Sequence, residues 1–171
     1  LRPHVAKIMQ PLWTEGVGNP ASVEHQRGLA AADRVEAARQ EIARAIGAEA
    51  REIVFTSGAT EANTIAVLGA AGFRAKHEGR HRVLVFETEH SCVLGAADAL
   101  TEEEFDVVRL PVNAEGQADL SALEAALDTR TALVCLMTAN NEVGTIQPIA
   151  EAAALAPAAG AWLQSAAAQA V

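Results

Sequence analysis

The stretch SGAT, residues 57–60, leaves a short apolar run, IVF, and opens directly into a helical pattern. A helix N-terminus presents unpaired backbone N–H groups and a partial positive charge, which suits a phosphate or another small dianion. On that reading Gly58 lets the ligand approach the backbone, Ala59 and Thr60 supply amides, and the Thr60 hydroxyl adds a donor. A tight turn with Ser57 or Thr60 as N-cap accounts for the same letters equally well. The motif is neither GxGxxG nor a Walker loop.

Three other places carry usable chemistry. ETEH ends at His90, just after an apolar run at 82–87. An imidazole there can stack on a flat ring, move a proton near neutral pH, or merely cap the next helix. MTANNEVGTIQPI follows the apolar run 131–137. Its tandem Asn140 and Asn141 suit a turn, yet an amide there can also hydrogen-bond a phenolic oxygen or a carboxylate. GNPASVEH, residues 18–25, sets Asn19 beside Pro20 in a loop that closes over a site or only joins elements.

The elements around these residues alternate. RGLAAADRVEAARQEIARAIG reads as a helix with Leu29, Val35, Ile42 and Ile46 on one stripe and Gly47 as C-cap. EIVFT reads as a strand, followed by a helix over about 61–76. The run 82–87 is a buried strand, 92–100 a short helix, FDVVRL a strand, and DLSALEAALD a helix capped by Asp119. TALVCLM is a strand, IAEAAALAPAA a helix that Pro157 ends or kinks, and AWLQS a last short strand. Near-continuous apolar strands separated by helices predict an α/β fold, a mostly parallel sheet flanked by helices on both faces. Such sheets bind ligands where strand C-terminal ends meet helix N-termini, and the SGAT turn, His90 and Asn141 all fall at that edge. LRPHVAKIMQPLW reads as a helix entered partway and AAQAV stops just past a strand, so both ends read as cut rather than finished.

Composition narrows the classes. The 171 residues suffice for a hydrophobic core, and 50% of them are hydrophobic, which argues against disorder. A net charge of -9 disfavours nonspecific binding to nucleic acid or to an anionic membrane, while leaving a local amide-built anion site open. No apolar run reaches spanning length and no signal-peptide pattern opens the chain, so the expected location is cytoplasmic. Cys92 and Cys135 read as buried small hydrophobes, with no CxxC spacing to suggest a metal.

Taken together, GNPASVEH, EIVFTSGATEANTIAVLG, TEHSCVL and NNEVGTIQPI resemble, in kind, order and spacing, the front part of a NifS/IscS-type cysteine desulfurase, a class V aminotransferase-fold enzyme. The resemblance covers nearly the whole chain. It implies the front portion of a fold-type I pyridoxal phosphate enzyme's large domain, with residues 1–26 as an N-terminal segment and active-site loop and 27–171 as a partial cofactor-binding domain. It implies pyridoxal 5'-phosphate held at its phosphate by Ala59 and Thr60, His90 stacked on the ring and assisting proton transfer, and Asn141 and Gln169 near the phenolic oxygen. Asn19 and Asn141 fall toward the substrate. The implied reaction takes sulfur from L-cysteine, leaving L-alanine, and passes it as a persulfide to a sulfur acceptor or iron–sulfur scaffold protein. A homodimer is implied as well.

Two departures qualify the resemblance. Where the family has HVDAxQ, this chain has QSAAAQ, residues 164–169. Gln169 stays, but Ala166 replaces the Asp that pairs with the pyridinium nitrogen, and Gln164 replaces a His. A carboxylate keeps that nitrogen protonated and the ring an effective electron sink. Alanine does neither. In addition, Lys7 and Lys76 are the only lysines, and neither stands where the family's cofactor-linking lysine belongs. The family's sulfur-accepting cysteine also matches neither Cys92 nor Cys135. These departures imply an enzyme that is impaired or incomplete in this chain, since the family's lysine and sulfur-accepting cysteine lie beyond the stretch matching Val171. The alternatives are a non-catalytic truncated homologue acting as a binding or scaffold protein, or another class V enzyme such as a selenocysteine lyase.

Overall fold

The computed structural model describes residues 2–15 and 18–170. They fall into two compact units, Leu1–Phe55 and Thr56–Val171.

The first unit is helical. α1 (Pro3–Thr14) begins with proline in its first turn, where the missing N–H costs nothing. α2 (Gln26–Ile46) is capped by His25, whose side chain accepts from the Gly28 N–H. It ends at Gly47 in the left-handed region, as the sequence predicts. The stripe of Leu29, Val35, Ile42 and Ile46 does not form a core. All four side chains are exposed, and α2 buries only Gly28 and Ala43. A one-turn helix at Ala50–Glu52 follows, tied to α2 by the Arg39 guanidinium, which donates to the Ile53 carbonyl and lies over the Phe55 ring. The expected strand EIVFT does not form among the described residues: 53–56 pair with no described neighbour, and Val54 and Phe55 are exposed. A strand exists only where a second chain segment takes its hydrogen bonds, and among the described residues none does.

The second unit is a three-layer α/β sandwich. α3 (Ala59–Glu78) precedes β1 (Arg82–Phe86), then come α4 (Ser91–Glu102), β2 (Asp106–Leu110), α5 (Leu120–Ala126), β3 (Thr131–Cys135), α6 (Ile149–Ala158) and β4 (Trp162–Gln164). α3 starts two residues earlier and ends two later than the sequence suggests. Asp119 caps α5 by accepting from the Ser121 and Ala122 amides, and Pro157 sits in the last turn of α6. The four strands are all parallel, in the order β2-β1-β3-β4.

Alternation along the strands builds two cores. Val83 and Val85 of β1 face α3 and α4, meeting Val67, Ala71, Val93, Ala97 and Leu100. Leu84 and Phe86 face α5 and α6, meeting Leu123, Ala152 and Ala156. Both faces of β1 and β3 are thus sealed, which is why those strands read as unbroken apolar runs. Alanine at the helix contacts lets the helices sit close to the sheet.

Strand order reverses between β1 and β3: the chain leaves β1 toward β2 on one side, and β3 returns on the other. Outside the C-terminal ends of two strands so arranged, the following segments diverge and leave a crevice. Charged side chains gather at the opposite edge instead. Arg82, at the start of β1, pairs with Asp106 and Asp128, and Arg80 donates to the carbonyls of Thr131 and Ala159.

Candidate functional site

A cavity of about 160 Å³ opens at that crevice, lined by the start of α3, the segments after β1 and β3, and the chain beyond β4. It brings together Ala59, Thr60, His90, Asn141 and Gln169, with Ala166 also in its wall. Asn19 lies in the first unit, where its side-chain oxygen accepts from the Ala21 amide and shapes the 19–22 turn.

The start of α3 leaves its donors free. Gly58 is the N-cap, in extended backbone, and neither Ser57 nor Thr60 caps the helix. The first helical bond runs from the Ala62 N–H to the Gly58 carbonyl, so the amides of Ala59, Thr60 and Glu61 have no partner within the helix. A Cβ on Gly58 would meet nothing within 4 Å, so the protein itself does not demand glycine there. The Glu61 carboxylate turns back to accept from the Ser57 amide at 2.6 Å, and that bond holds its carboxyl below the usual range.

His90 caps α4. Its Nδ1 accepts from the Cys92 backbone N–H at 3.2 Å and lies 3.0 Å from the Cys92 Sγ. The capping role and a place in the cavity wall are therefore both realised by one side chain. Cys92 is half-buried, packed against the core and lining the cavity as well, whereas Cys135 is fully buried in β3. Burial pushes the Cys135 thiol up, leaving it an inert core residue.

The tandem asparagines divide their labour. Asn140 makes the turn: its Oδ1 accepts from the Glu142 and Val143 amides, and its Nδ2 donates to the Thr88 carbonyl. Asn141 has no side-chain hydrogen bond among the described residues and faces the cavity. The rest of NNEVGTIQPI anchors this loop. Buried Gln147 donates to the Gly116 carbonyl and accepts from the Ala118 amide, and the Thr145 hydroxyl donates to the Glu115 carbonyl. Beyond β4, the Thr138 amide donates to the Ala166 carbonyl, and the Thr138 and Ser165 hydroxyls meet at 2.9 Å. These bonds hold Ala166, Ala168 and Gln169 against the cavity.

The sequence reading missed Asn63, Cys92, Met137, Ala139 and Ala168 in the wall. Helical spacing pointed to two of them: Asn63 stands one turn after Thr60, and Cys92 lies in the first turn after the His90 cap. It also missed Glu89, which is 5% exposed with neither oxygen hydrogen-bonded among the described residues. Burial pushes its carboxyl up to about 7, and the nearby amides of Met137 and His90, outside hydrogen-bonding geometry, pull it only part of the way back.

Residues 1–171 match the family model Aminotransferase class-V. The probable mitochondrial cysteine desulfurase of Dictyostelium discoideum is 41% identical over 169 residues, which span 99% of this chain and 37% of that protein. The mitochondrial cysteine desulfurase of Drosophila melanogaster is 45% identical over 169 residues, 99% of this chain and 36% of its own. Among solved structures, a NifS-like protein superposes with a TM-score of 0.92 at 31% identity, covering all of this chain and 47% of that one. SspA in complex with cysteine gives 0.89 at 33% identity, over 99% and 48% of the two chains. This chain therefore spans little more than a third of the length of those curated relatives. Motif order, the parallel sheet and these matches agree: the chain belongs to the class V aminotransferase family, and over its length it is similar to the front part of NifS/IscS-type cysteine desulfurases.

Proposed function

We propose that this chain holds pyridoxal 5'-phosphate in the cavity at the β1–β3 crevice, as the cofactor-binding part of a cysteine desulfurase. The observation that carries the reading is the cradle at Gly58–Thr60. Two free amides, a hydroxyl with no partner among the described residues, and a glycine that nothing in the protein requires all stand at the edge of one cavity. A phosphate dianion satisfies those donors and gains from the α3 N-terminus. The flat His90 ring and the small Ala139, Ala166 and Ala168 walls suit an aromatic ring, with Asn141 and Gln169 free to hydrogen-bond its phenolic oxygen. When bound, pyridoxal phosphate supplies an electron sink for bond breaking next to an amino acid's α-carbon.

The substrate class is L-cysteine, which leaves as L-alanine. The sulfur passes as a persulfide to an acceptor or iron–sulfur scaffold, within a homodimer. In that scheme His90 excludes water from one face of the ring and exchanges a proton at its cavity-side nitrogen. Asn19 is assigned to the substrate entrance. Ala166 is the one wall residue that fits poorly, because it offers no carboxylate to a ring nitrogen. It favours a second reading, a weakened enzyme or a non-catalytic cofactor-binding homologue.

Titration of the protein with pyridoxal phosphate, followed by the cofactor's absorbance, tests the binding reading. Saturable binding is expected, weakened about tenfold in Thr60→Val, the scale of one lost hydrogen bond to a charged group. Ala166→Asp is expected to tighten it. Absence of saturation, or no loss in Thr60→Val, rejects the cradle. Alanine production from L-cysteine by the unaltered protein then separates the enzyme from the non-catalytic homologue.

A further inference from the structure

Four side chains form a directed hydrogen-bond chain that ends on His90. Gln164, at the end of β4, donates its Nε2–H to the Asn63 Oδ1 at 3.0 Å. That fixes the Asn63 amide with its Nδ2–H toward the Cys92 Sγ, at 3.6 Å. The sulfur then accepts from Asn63, and its own proton is left to point at the His90 Nδ1, 3.0 Å away. The Cys92 backbone amide donates to the same nitrogen. With two donors on it, Nδ1 is an acceptor, and the imidazole proton belongs on Nε2.

A thiol beside an imidazole at a helix N-terminus otherwise suggests a nucleophile. Moving the thiol proton onto Nδ1 would here set an N–H against the Cys92 amide N–H. The arrangement suits a neutral thiol that orients the ring.

We propose that Gln164, Asn63 and Cys92 are positioning residues that hold His90 in its Nε2–H tautomer, with residue 164 setting the polarity of the whole chain. The far end of the Gln164 amide makes no competing bond: its Oε1 is buried and has no partner among the described residues, so the bond to Asn63 is that amide's one side-chain tie. A residue at 164 that only accepts would turn the Asn63 amide over, put Oδ1 against the thiol and draw the S–H proton away from His90. The proton-exchange role of His90 that this tautomer would serve rests on the cofactor reading above. The tautomer itself does not, because it is measured without cofactor.

The experiment uses the full-length protein labelled with 15N-histidine, with His90 assigned from the signals lost in His90→Gln. The S–H stretch of Cys92 is read in parallel by infrared spectroscopy and assigned with Cys92→Ala. The unaltered protein is expected to show a protonated Nε2 and a hydrogen-bonded, unprotonated Nδ1. In Gln164→Glu the Nδ1 signal is expected to move toward that of a ring with one donor fewer, with a displaced S–H band. Gln164→Leu is expected to give a smaller shift. Cys92→Ala, which removes the thiol donor directly and leaves the amide, should move Nδ1 in the same direction even if the Gln164 variants fold poorly. A proton on Nδ1 in the unaltered protein overturns the proposal. So do unchanged Nδ1 signals in Gln164→Glu and Cys92→Ala when amide spectra report an intact fold. Failure of cofactor binding with these shifts present rejects the cofactor reading and leaves the tautomer assignment standing.

Discussion

The two units of this chain contain similar amphipathic helices and put them to different use. In α3 and α4 the apolar faces find a sheet, and Val67, Ala71, Val93 and Ala97 are completely buried. In α2 the apolar stripe is the more regular of the two, yet Ile42 is 41% and Ile46 65% exposed. Periodicity states which face of a helix needs covering. Only a second surface covers it, and most helical stability in proteins comes from that packing. Residues 53–56 repeat the lesson for strands: their composition suits a sheet, and no neighbour among the described residues supplies one.

The sharpest way to break this contrast is to cut one side chain from each unit. Leu84→Ala, in the sealed middle of β1, is expected to cost about 2–5 kcal/mol through lost transfer energy and a cavity. Ile42→Ala on α2 is expected to stay within about 0.5 kcal/mol, as surface substitutions do. Midpoints of denaturant unfolding report both. Equal losses would mean that the α2 stripe is covered in solution, by another segment or a second copy, and the contrast between the units would disappear.

A second test concerns electrostatics inside the sheet unit. Glu89 has an ordinary carboxyl value of 4.5 and is pushed up to about 7 when folded. Between those values the folded state binds more proton than the unfolded state, so stability falls as pH rises through the window and levels off above it. The shift corresponds to about 3 kcal/mol by the usual conversion. Glu89→Gln cannot ionise. Its stability should be nearly flat from pH 5 to 8 and exceed that of the unaltered protein at pH 8. Parallel pH profiles for the two proteins would mean that Glu89 finds a partner outside the described residues.

Much of the sheet unit is legible in the sequence for a physical reason. Strands sealed on both faces need unbroken apolar runs, and 82–86 and 131–135 show them. Once those are parallel, the residues after their C-terminal ends fall at one edge, which is how His90 and Asn141 enter the reading. The rest depends on contacts that no local pattern encodes. Gln164 meets Asn63 across 101 residues of chain, and nothing local marks either for the other. Glu89 looks like a surface carboxylate beside a histidine until the segment after β3 buries it. Residues 53–56 fail in the opposite direction, because strand propensity is present and the described residues hold no partner for it.

The smallest expected effect refines the picture of the first unit, which is not loosely packed everywhere. The 18–25 loop and the start of α2 approach each other closely. A Cβ on Gly28 would run into the Ser22 carbonyl, and one on Gly18 into the Arg27 carbonyl. The Asn19 side chain, the Ser22 amide bond to the Asn19 carbonyl and the His25 cap hold the loop in that place. In most helices Gly→Ala gains about 1 kcal/mol from propensity. Gly28→Ala must instead displace backbone, and overpacking of that kind costs about 1–3 kcal/mol. A net loss of about 1 kcal/mol is expected, together with faster amide exchange confined to residues 18–28. A gain in stability would show that the loop moves aside freely, leaving the first unit without a rigid feature on which a substrate-side role for Asn19 could rest.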